Sequence, residues 1–255
     1  MIHVSGSGPD VVMVHGWGMH SGAWAGVATA LAARYTVHRV DLPGHGADTR
    51  DRTWSLGAFA DEVLASTPPA DWIGWSLGSQ VTLAAAQRAP EQVRRMILVG
   101  ANPRFVAAPD WPDAMPERVF QAFREACVED GEGVLERFVG LQALGAADPE
   151  ATLRDMRRML HGAPEPGYKA LRAGLEILAT TDLRELLPGL AQPTLWISGS
   201  ADRVSPPAAS RAAAGMMSNA RFRAIEGAGH APFVRHEREV TALLDEFLAG
   251  GAKDS

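Results

Sequence analysis

The stretch WIGWSLGSQV, residues 72–81, contains a serine flanked by two glycines, Gly74 and Gly78, each two positions away from Ser76. An apolar run precedes this serine and a helix-like stretch follows it, so Ser76 lies where a strand would give way to a helix. In a G-x-S-x-G turn, side chains at the glycine positions would collide with neighbouring backbone, and the turn lifts the serine hydroxyl clear of the sheet. The stretch therefore predicts a strand–turn–helix unit that presents Ser76 as a nucleophile. An ordinary strand–helix turn with a capping serine is the alternative.

Strand-like runs alternate with helix-like stretches along most of the chain. Six apolar runs carry β-branched or aromatic residues and end in turn residues: Asp10–Gly16, Tyr35–Gly44, Ala70–Ser76, Val93–Asn102, Pro193–Ser200 and Ala220–Gly227. Helical patterns occupy Ser21–Arg34, Leu77–Pro90 and Arg238–Gly250. This alternation predicts an α/β fold with a mostly parallel, doubly wound sheet.

One region of the chain interrupts the alternation. Between residues 103 and 187 we find no convincing strand, only helical patterns broken by prolines and glycines. Because this region separates two strands of the predicted sheet, we expect a helical cap at 103–187. It would be inserted into a core formed by residues 1–102 and 188–255.

The composition excludes several classes of protein. The 255 residues carry a formal charge of −6, which argues against a general nucleic-acid binder. The single cysteine, Cys127, cannot form an internal disulfide and fits a reducing compartment. No apolar run approaches the roughly 20 residues of a membrane span, and the N-terminus lacks the pattern of a signal peptide. We therefore expect a cytoplasmic protein that binds neither membranes nor nucleic acid.

A serine hydroxyl is a weak nucleophile unless a histidine takes its proton and a carboxylate orients that histidine. In folds that contain this G-x-S-x-G turn, called a nucleophile elbow, the three residues follow along the chain in the order serine, acid, histidine. Asp202, in GSADRVSPP, comes just after the run at 193–200, and His230, in EGAGHAPF, comes just after the run at 220–227. Because the carboxyl ends of parallel strands meet at one edge of the sheet, we expect Ser76, Asp202 and His230 to form a catalytic triad there.

Other acids and histidines fit this role less well. The turn one strand earlier, where some proteins of this kind carry the acid, has Asn102 instead. His15 lies in the turn HGWG, where we expect it to brace the loop, and His45 is expected in a turn near the rim of the site. The chain contains no HExxH motif and no Cys/His cluster, so the sequence predicts neither a metal site nor a cofactor.

An acyl-transfer site also needs donors for the developing oxyanion. One should be the backbone N–H after the nucleophile, that of Leu77, and the other should come from the loop after the Asp10–Gly16 run. HGWG occupies that loop, so the N–H of Trp17 is the second expected donor. The indole of Trp17 would then wall the acyl pocket, although a role in packing alone is the alternative.

The chain resembles the α/β-hydrolases over nearly its whole length. Within them, the segments HGWGMHSGAW, VDLPGHG, GWSLGS, LVGAN, ERFVGLQALG, GLEILATTDLR and GHAPFVRH are similar to the pimeloyl-[acyl-carrier protein] methyl ester esterases of biotin synthesis. The two cap segments are the more telling, because caps diverge fastest between substrate classes. The resemblance implies a serine carboxylesterase that releases methanol from the methyl ester of a pimeloyl-carrier protein.

The resemblance also implies residue roles. It assigns Ser76, Asp202 and His230 to the triad and residues 138–142 to a substrate channel under the cap. The residues it places against the substrate are Trp17, Ser76, Leu77, Phe138, Val139, Gly140, Leu141, Gln142 and His230. One departure is Ser79, where this family usually has a second glycine after GWSLG. The extra side chain would affect packing at the start of the helix but not the two donors.

An acidic carrier protein needs a local basic patch on this acidic chain. Within residues 149–162, Leu153, Met156 and Leu160 fall on one helical face, and a basic stripe falls on the adjacent face. The residues predicted to dock the carrier are Arg137, Arg154, Arg157 and Arg158. A solvated helix face is the alternative for this stripe.

Three rival functions share the predicted site. A promiscuous short-chain carboxylesterase would have the same catalytic residues. Another cap-bearing hydrolase, such as a peptidase or haloperoxidase, is a second rival, although the cap carries no carboxylate cluster suited to an amine. A non-catalytic ligand receptor of the same fold is the third. We expect the protein to be a monomer.

Overall fold

Seven strands form one sheet at the centre of the molecule, in the order β1-β3-β2-β4-β5-β6-β7. The computed structural model describes residues 1–48, 50, 55–129, 133–164 and 166–250. The strands are β1 Ile2–Gly6, β2 Asp10–Val14, β3 Thr36–Val40, β4 Ala70–Trp75, β5 Val93–Val99, β6 Thr194–Gly199 and β7 Ala220–Ile225. All neighbouring pairs are parallel except β1 with β3, so the predicted mostly parallel sheet is confirmed.

The strand order places a topological switch between β2 and β4. The chain leaves β2 for β3 on one side and returns to β4 on the other, after which β5, β6 and β7 follow in sequence. Ligands of open parallel sheets bind in the crevice outside the carboxyl ends of the strands at such a switch. Ser76 and the HGWG loop begin at the carboxyl ends of β4 and β2, so both lie at this crevice.

The central strands are apolar on both faces because helices cover both sides of the sheet. Every residue of β4 and of β6 is buried. The edge strand β1 differs, since all of its residues are half-buried or exposed and Val4 is 59% exposed. That weak pattern explains why the sequence runs did not include β1.

Ten α-helices and two short 3-10 helices connect the strands in the described part of the chain. The α-helices are α1 Ala25–Leu31, α2 Leu56–Ser66, α3 Leu77–Arg88, α4 Glu117–Glu129, α5 Val134–Ala143, α6 Pro149–Leu160, α7 Tyr168–Thr180, α8 Pro207–Gly215, α9 Pro232–Arg235 and α10 Glu237–Ala249. The 3-10 helices are Ser21–Trp24 and Arg184–Gly189. None of the described helices is long and apolar enough to cross a membrane.

Helices α4 to α7 lie between β5 and β6 in the chain, in the region without strand patterns. They contact the loops that follow the sheet strands. The Trp17 indole reaches α7, and the backbone oxygen of Gln142 in α5 lies 2.9 Å from where a Cβ on Gly229 would be. In the described part of this region extended pairing is limited to three isolated bridges: Arg104 with Asp182, Val106 with Met115 and Ala108 with Trp111. The helices therefore stand over the carboxyl edge of the sheet.

Candidate active site

Ser76 has a strained backbone. With φ at 54° and ψ at −116°, it is the one non-glycine residue with positive φ among the described residues. It follows β4 directly and precedes α3, as the sequence predicts. Strain of this kind persists only where the surroundings enforce it, and it is concentrated at functional sites.

The flanking glycines are required by sterics. A Cβ on Gly74 would lie 2.4 Å from the backbone oxygen of Gly78, and one on Gly78 would lie 2.4 Å from the backbone oxygen of Val14. The close approach of β4, α3 and β2 therefore excludes side chains at both positions. Ser79 fits beside them, because its hydroxyl donates a 2.7 Å hydrogen bond to the carbonyl of Gly74.

Asp202 and His230 form a buried pair. The Nδ1 of His230 lies 2.9 Å from Oδ2 of Asp202, and both side chains are fully buried. The other carboxylate oxygen accepts the backbone N–H groups of Val204, at 2.8 Å, and Ser205, at 2.9 Å. A carboxylate held in this way accepts a proton-bearing Nδ1, which leaves the lone pair on Nε2 of His230. That Nε2 is buried and has no hydrogen-bond partner in the described structure.

The structure also brings the histidine loop to the nucleophile turn. The indole N–H of Trp75, next to Ser76, donates a 3.0 Å hydrogen bond to the backbone carbonyl of His230. Gly100, at the end of β5, has φ at 53°, and a Cβ there would lie 2.8 Å from the same carbonyl and 3.2 Å from the imidazole. The N–H of Ser76 donates to the carbonyl of Val99 on that strand. No hydrogen bond joins the Ser76 hydroxyl to Nε2 of His230.

The two expected oxyanion donors lie beside Ser76. Leu77 is the first residue of α3, so its N–H has no acceptor within the helix. In the loop after β2, a Cβ on Gly16 would lie 3.3 Å from the Cβ of Ser76. The next residue is Trp17, whose backbone N–H has no acceptor among the described residues. Both N–H groups therefore remain available to a ligand.

His15 braces this loop, as expected from its place in HGWG. Its Nδ1 donates to the carbonyl of Gly16 at 2.8 Å, and its Nε2 accepts the N–H of Leu42 at 3.0 Å. Burial, together with the neighbouring ring of His45, lowers the pKa of His15 to about 3. Burial likewise lowers the pKa of His45 to about 4. Both imidazoles are therefore neutral near pH 7.

The side chain of Trp17 packs among helices. The ring is fully buried, and its Nε1 donates a 2.8 Å hydrogen bond to the backbone carbonyl of Leu171 in α7. It lies edge-on to the rings of Phe138, at 4.9 Å, and Phe123, at 5.5 Å.

Two of the five residues expected to line a substrate channel border a narrow apolar cavity. Phe138 and Leu141 line it, and its free volume of about 10 Å³ matches one water-sized sphere. The sequence patterns did not distinguish its other lining residues, which are Phe105, Met115, Val119, Phe120, Phe123, Leu175 and Leu178. Apolar residues on helices look alike in sequence whether they line a cavity or fill a core, so no local signal could have identified them.

The other three expected channel residues lie elsewhere on α5. Val139 is buried, Gly140 is half-buried, and Gln142 is 1% exposed. Neither the nitrogen nor the oxygen of the Gln142 side-chain amide has a partner in the described structure. A buried amide without partners is costly, which makes Gln142 a candidate contact for a polar ligand.

The arginines expected to dock a carrier are exposed on α5 and α6, while Met156 and Leu160 on the opposite face of α6 are buried. Their charges are partly offset. Arg157 pairs with Glu136 at 2.7 Å, and Arg158 lies 3.5 Å from Asp155. The remaining two, Arg137 and Arg154, are also exposed.

No group of three or more His, Cys, Asp or Glu side chains suited to a metal ion occurs in the part of the chain that the structure describes. The titratable residues brought together at the site are Asp202 and His230. The strained serine, the buried pair and the two backbone donors together can perform acyl transfer.

Comparisons with known proteins agree with this geometry. The chain is 45% identical over 249 residues to the pimeloyl-[acyl-carrier protein] methyl ester esterase of Xanthomonas oryzae pv. oryzae (strain MAFF 311018), covering 97% of this chain and 98% of that protein. It is 43% identical over 250 residues to the protein of the same name from Stenotrophomonas maltophilia (strain R551-3), covering 98% and 96%. These relatives confirm the resemblance found in the sequence.

Solved structures confirm the fold. An esterase from Exiguobacterium antarcticum superposes with a TM-score of 0.87 at 22% identity, covering 97% of this chain and 94% of that one. A bromoperoxidase from Bacillus anthracis gives a TM-score of 0.86 at 21% identity with the same coverage. The family described as alpha/beta hydrolase fold matches residues 9–237. The chain therefore belongs to the α/β-hydrolase family.

Proposed function

We propose that this protein is a serine carboxylesterase that hydrolyses the methyl ester of pimeloyl-[acyl-carrier protein], releasing methanol. The observation that carries the reaction class is the buried Asp202–His230 pair at the edge of the sheet where Ser76 adopts a strained turn. The identity of the substrate is inferred from the two relatives named above, which are similar to this protein over nearly the whole chain. The reaction places this enzyme in biotin synthesis.

In the first step, Ser76 attacks the ester carbonyl while Nε2 of His230 takes the hydroxyl proton. Asp202 keeps the proton-bearing Nδ1 oriented and stabilises the imidazolium that forms. The developing oxyanion accepts the N–H groups of Leu77 and Trp17, each of which is typically worth about 10²–10³-fold in rate. His230 then gives its proton to the departing methanol, leaving an acyl-enzyme.

In the second step, a water molecule replaces the alcohol. His230 takes a proton from the water, which attacks the acyl-enzyme carbonyl, and the same two N–H groups stabilise the second oxyanion. Collapse of that intermediate returns the proton to Ser76 and frees the carboxylate. All of these steps use groups of the chain itself, without a metal or cofactor.

Burial of the site fits a long, thin substrate. The methyl ester lies at the end of the acyl chain farthest from the carrier, while Ser76 is only 7% exposed. We propose that the helices of residues 103–187 form the cap and that the acyl chain passes between them to reach the serine. Phe138, Val139, Gly140, Leu141 and Gln142 on α5 are the proposed contacts along this path.

The carrier protein itself would bind outside, on the basic face formed by Arg137, Arg154, Arg157 and Arg158. Acidic carriers and basic patches attract each other through long-range electrostatics, which mainly speeds association. Because Arg157 and Arg158 already have acidic neighbours, we expect Arg154 to contribute most. We further propose that the protein is a cytoplasmic monomer.

Replacement of the nucleophile tests the reaction class. Ser76→Ala should lower ester turnover by several orders of magnitude and abolish labelling by a fluorophosphonate probe, with an unchanged circular dichroism spectrum. Near-full activity in this variant would remove Ser76 from the mechanism. Absence of labelling in the unmodified protein would favour a non-catalytic receptor.

The substrate is tested separately. Turnover of pimeloyl-carrier methyl ester should exceed that of p-nitrophenyl acetate and butyrate in kcat/KM. If the short esters are preferred, the protein is a promiscuous short-chain carboxylesterase that keeps the same triad.

A further inference from the structure

The indole of Trp17 is held by three helices of the 103–187 region. Its N–H donates to the carbonyl of Leu171 in α7, and its ring lies edge-on to Phe123 of α4 and Phe138 of α5. The hydrogen bond spans 154 positions of the sequence. A residue of the loop after β2 is therefore fixed to helices that belong to a distant part of the chain.

The helices are shaped to receive this ring. A Cβ on Gly174 of α7 would lie 2.4 Å from Cδ1 of Trp17, so glycine is required for the present packing. Beside it, a Cβ on Gly18 would lie 2.5 Å from the side chain of Leu135 in α5. Both contacts leave the loop little freedom to move independently of α5 and α7.

The backbone of the same loop is a tight turn. The N–H of Met19 bonds the carbonyl of Gly16, and Gly18 has φ at 71°, which is the pattern of a type II turn with Trp17 at its first central position. The backbone N–H and the side chain of Trp17 share one Cα, and the buried, hydrogen-bonded indole has little freedom to rotate about its side-chain bonds. The place of the indole therefore sets the place of the N–H.

The reacting groups are closed off from solvent in this arrangement. Ser76 is 7% exposed, and Trp17, Leu77 and His230 are fully buried. We therefore expect the covering helices to shift when an acyl chain enters. Any shift of α7 pulls on the Trp17 indole through Leu171.

We propose that the hydrogen bond from the Trp17 indole to Leu171 couples the seating of α7 to the oxyanion hole. When α7 is seated, the Trp17 N–H points at the ester carbonyl; when α7 moves to admit substrate, the donor is withdrawn. Leu171 and Gly174 are then positioning residues for the reaction. This inference rests on the proposed function, because it requires the Trp17 N–H to be an oxyanion donor.

Two substitutions test the coupling by different routes. Trp17→Phe keeps an aromatic ring but removes the donor to Leu171, and Gly174→Ala keeps the donor but forces the indole aside. Each should lower kcat for p-nitrophenyl acetate about tenfold or more, given that loss of a whole oxyanion donor costs about 10²–10³-fold. KM for this small ester should change less than threefold, since it makes little contact with the helices.

Matched variants control for packing losses. Trp196→Phe trims another fully buried tryptophan, whose indole N–H has no acceptor in the described structure. Gly215→Ala adds a methyl group at a helical glycine with no heavy atom within 4 Å of the new Cβ. Both controls should keep kcat within twofold of the parent enzyme.

Rates are expressed per site counted by titration with the fluorophosphonate probe, so that misfolded molecules do not lower the measured kcat. The rate constant for phosphonylation should fall in parallel with kcat, because the phosphoryl oxygen uses the same donors. If Trp17→Phe does not fold, Gly174→Ala decides. A kcat within twofold of the parent in the folded variants would overturn the coupling. Loss of the proposed function itself would instead appear as an active Ser76→Ala variant.

Discussion

The loops at the carboxyl edge of the sheet and the helices above them are held in place by different kinds of contact. At the sheet edge, positions are fixed by backbone contacts: Gly74 and Gly78 admit no Cβ, and Asp202 is held by two N–H groups. In α4 to α7, contacts are made by side chains, such as the apolar cavity lining and the exposed Arg157–Glu136 pair. The comparison teaches that close backbone packing holds the catalytic candidates at the sheet edge, whereas side-chain packing and ion pairs hold much of the helical region.

The largest effect should come from the buried pair at the sheet edge. Asp202→Asn keeps the size of the side chain but no longer favours the proton on Nδ1 of His230, so we expect kcat to fall about 10⁴-fold. Ester turnover at saturating substrate measures it, with the melting temperature as the control for folding. A loss below tenfold would mean that the acid–histidine pair does not limit catalysis.

The next effect concerns the sterics of the elbow. Gly78→Ala places a methyl group 2.4 Å from the backbone oxygen of Val14, and overpacking of this severity should lower the free energy of unfolding by about 3 kcal/mol. Urea denaturation measures the change. Gly189→Ala, where no heavy atom lies within 4 Å of the new Cβ, is the matched control and should stay close to the parent. Equal stability of the two variants would contradict the steric account.

A third prediction uses the neutral histidines behind the oxyanion loop. Their folded-state pKa values, about 3 for His15 and about 4 for His45, lie below the unfolded value near 6.5. Between these limits the unfolded chain binds more protons, so stability is complete above pH 6.5 and falls as the pH drops. As the pH falls from about 6 to 4, the two histidines should lower the free energy of unfolding by roughly 2 kcal/mol per pH unit.

Urea titrations at several pH values check this slope. His45→Gln should roughly halve it, because one of the two buried imidazoles is then gone. A slope that survives the loss of His45 would assign the acid sensitivity to other groups.

The smallest effect should lie on the helical surface. Arg154→Glu combined with Arg158→Glu should lower kcat/KM for the carrier-linked ester about tenfold at low salt, because charge reversal slows association. The effect should shrink at high salt. Turnover of p-nitrophenyl acetate should not change. Arg221→Glu combined with Arg223→Glu, both at exposed positions on β7, is the charge-matched control. Unchanged kinetics with the carrier-linked ester would contradict the docking proposal and would mean that this basic face does not bind the carrier protein.

The sequence predicted the six strands β2 to β7 well because they are short, carry β-branched or aromatic residues and are bounded by turn residues. Its boundaries ran past the true ends: the run at Tyr35–Gly44 becomes a strand only at Thr36–Val40. The run at Ser21–Arg34 is divided into a 3-10 helix and α1. These errors arise because loops at the carboxyl edge are also buried here, so apolar character continues beyond the last paired residue.

In the site, the sequence predicted the catalytic candidates but gave no information on their surroundings. Ser76, Asp202 and His230 follow from motif order, and the structure pairs the last two. The partner of the Trp17 indole and the lining of the apolar cavity could not be predicted. Both depend on which helices pack together. Amphipathic periodicity predicts which side of a helix is buried, but it does not predict which element packs against that side.

By itself the sequence determined the alternating α/β architecture and the strained turn at Ser76, because these depend on local sterics and on periodicity along the chain. Only the tertiary structure decided that α7 accepts the Trp17 indole, that Gly174 makes room for it and that Gln142 is buried without partners. Such contacts join residues far apart in the chain, and their energies depend on packing that no short stretch of sequence specifies.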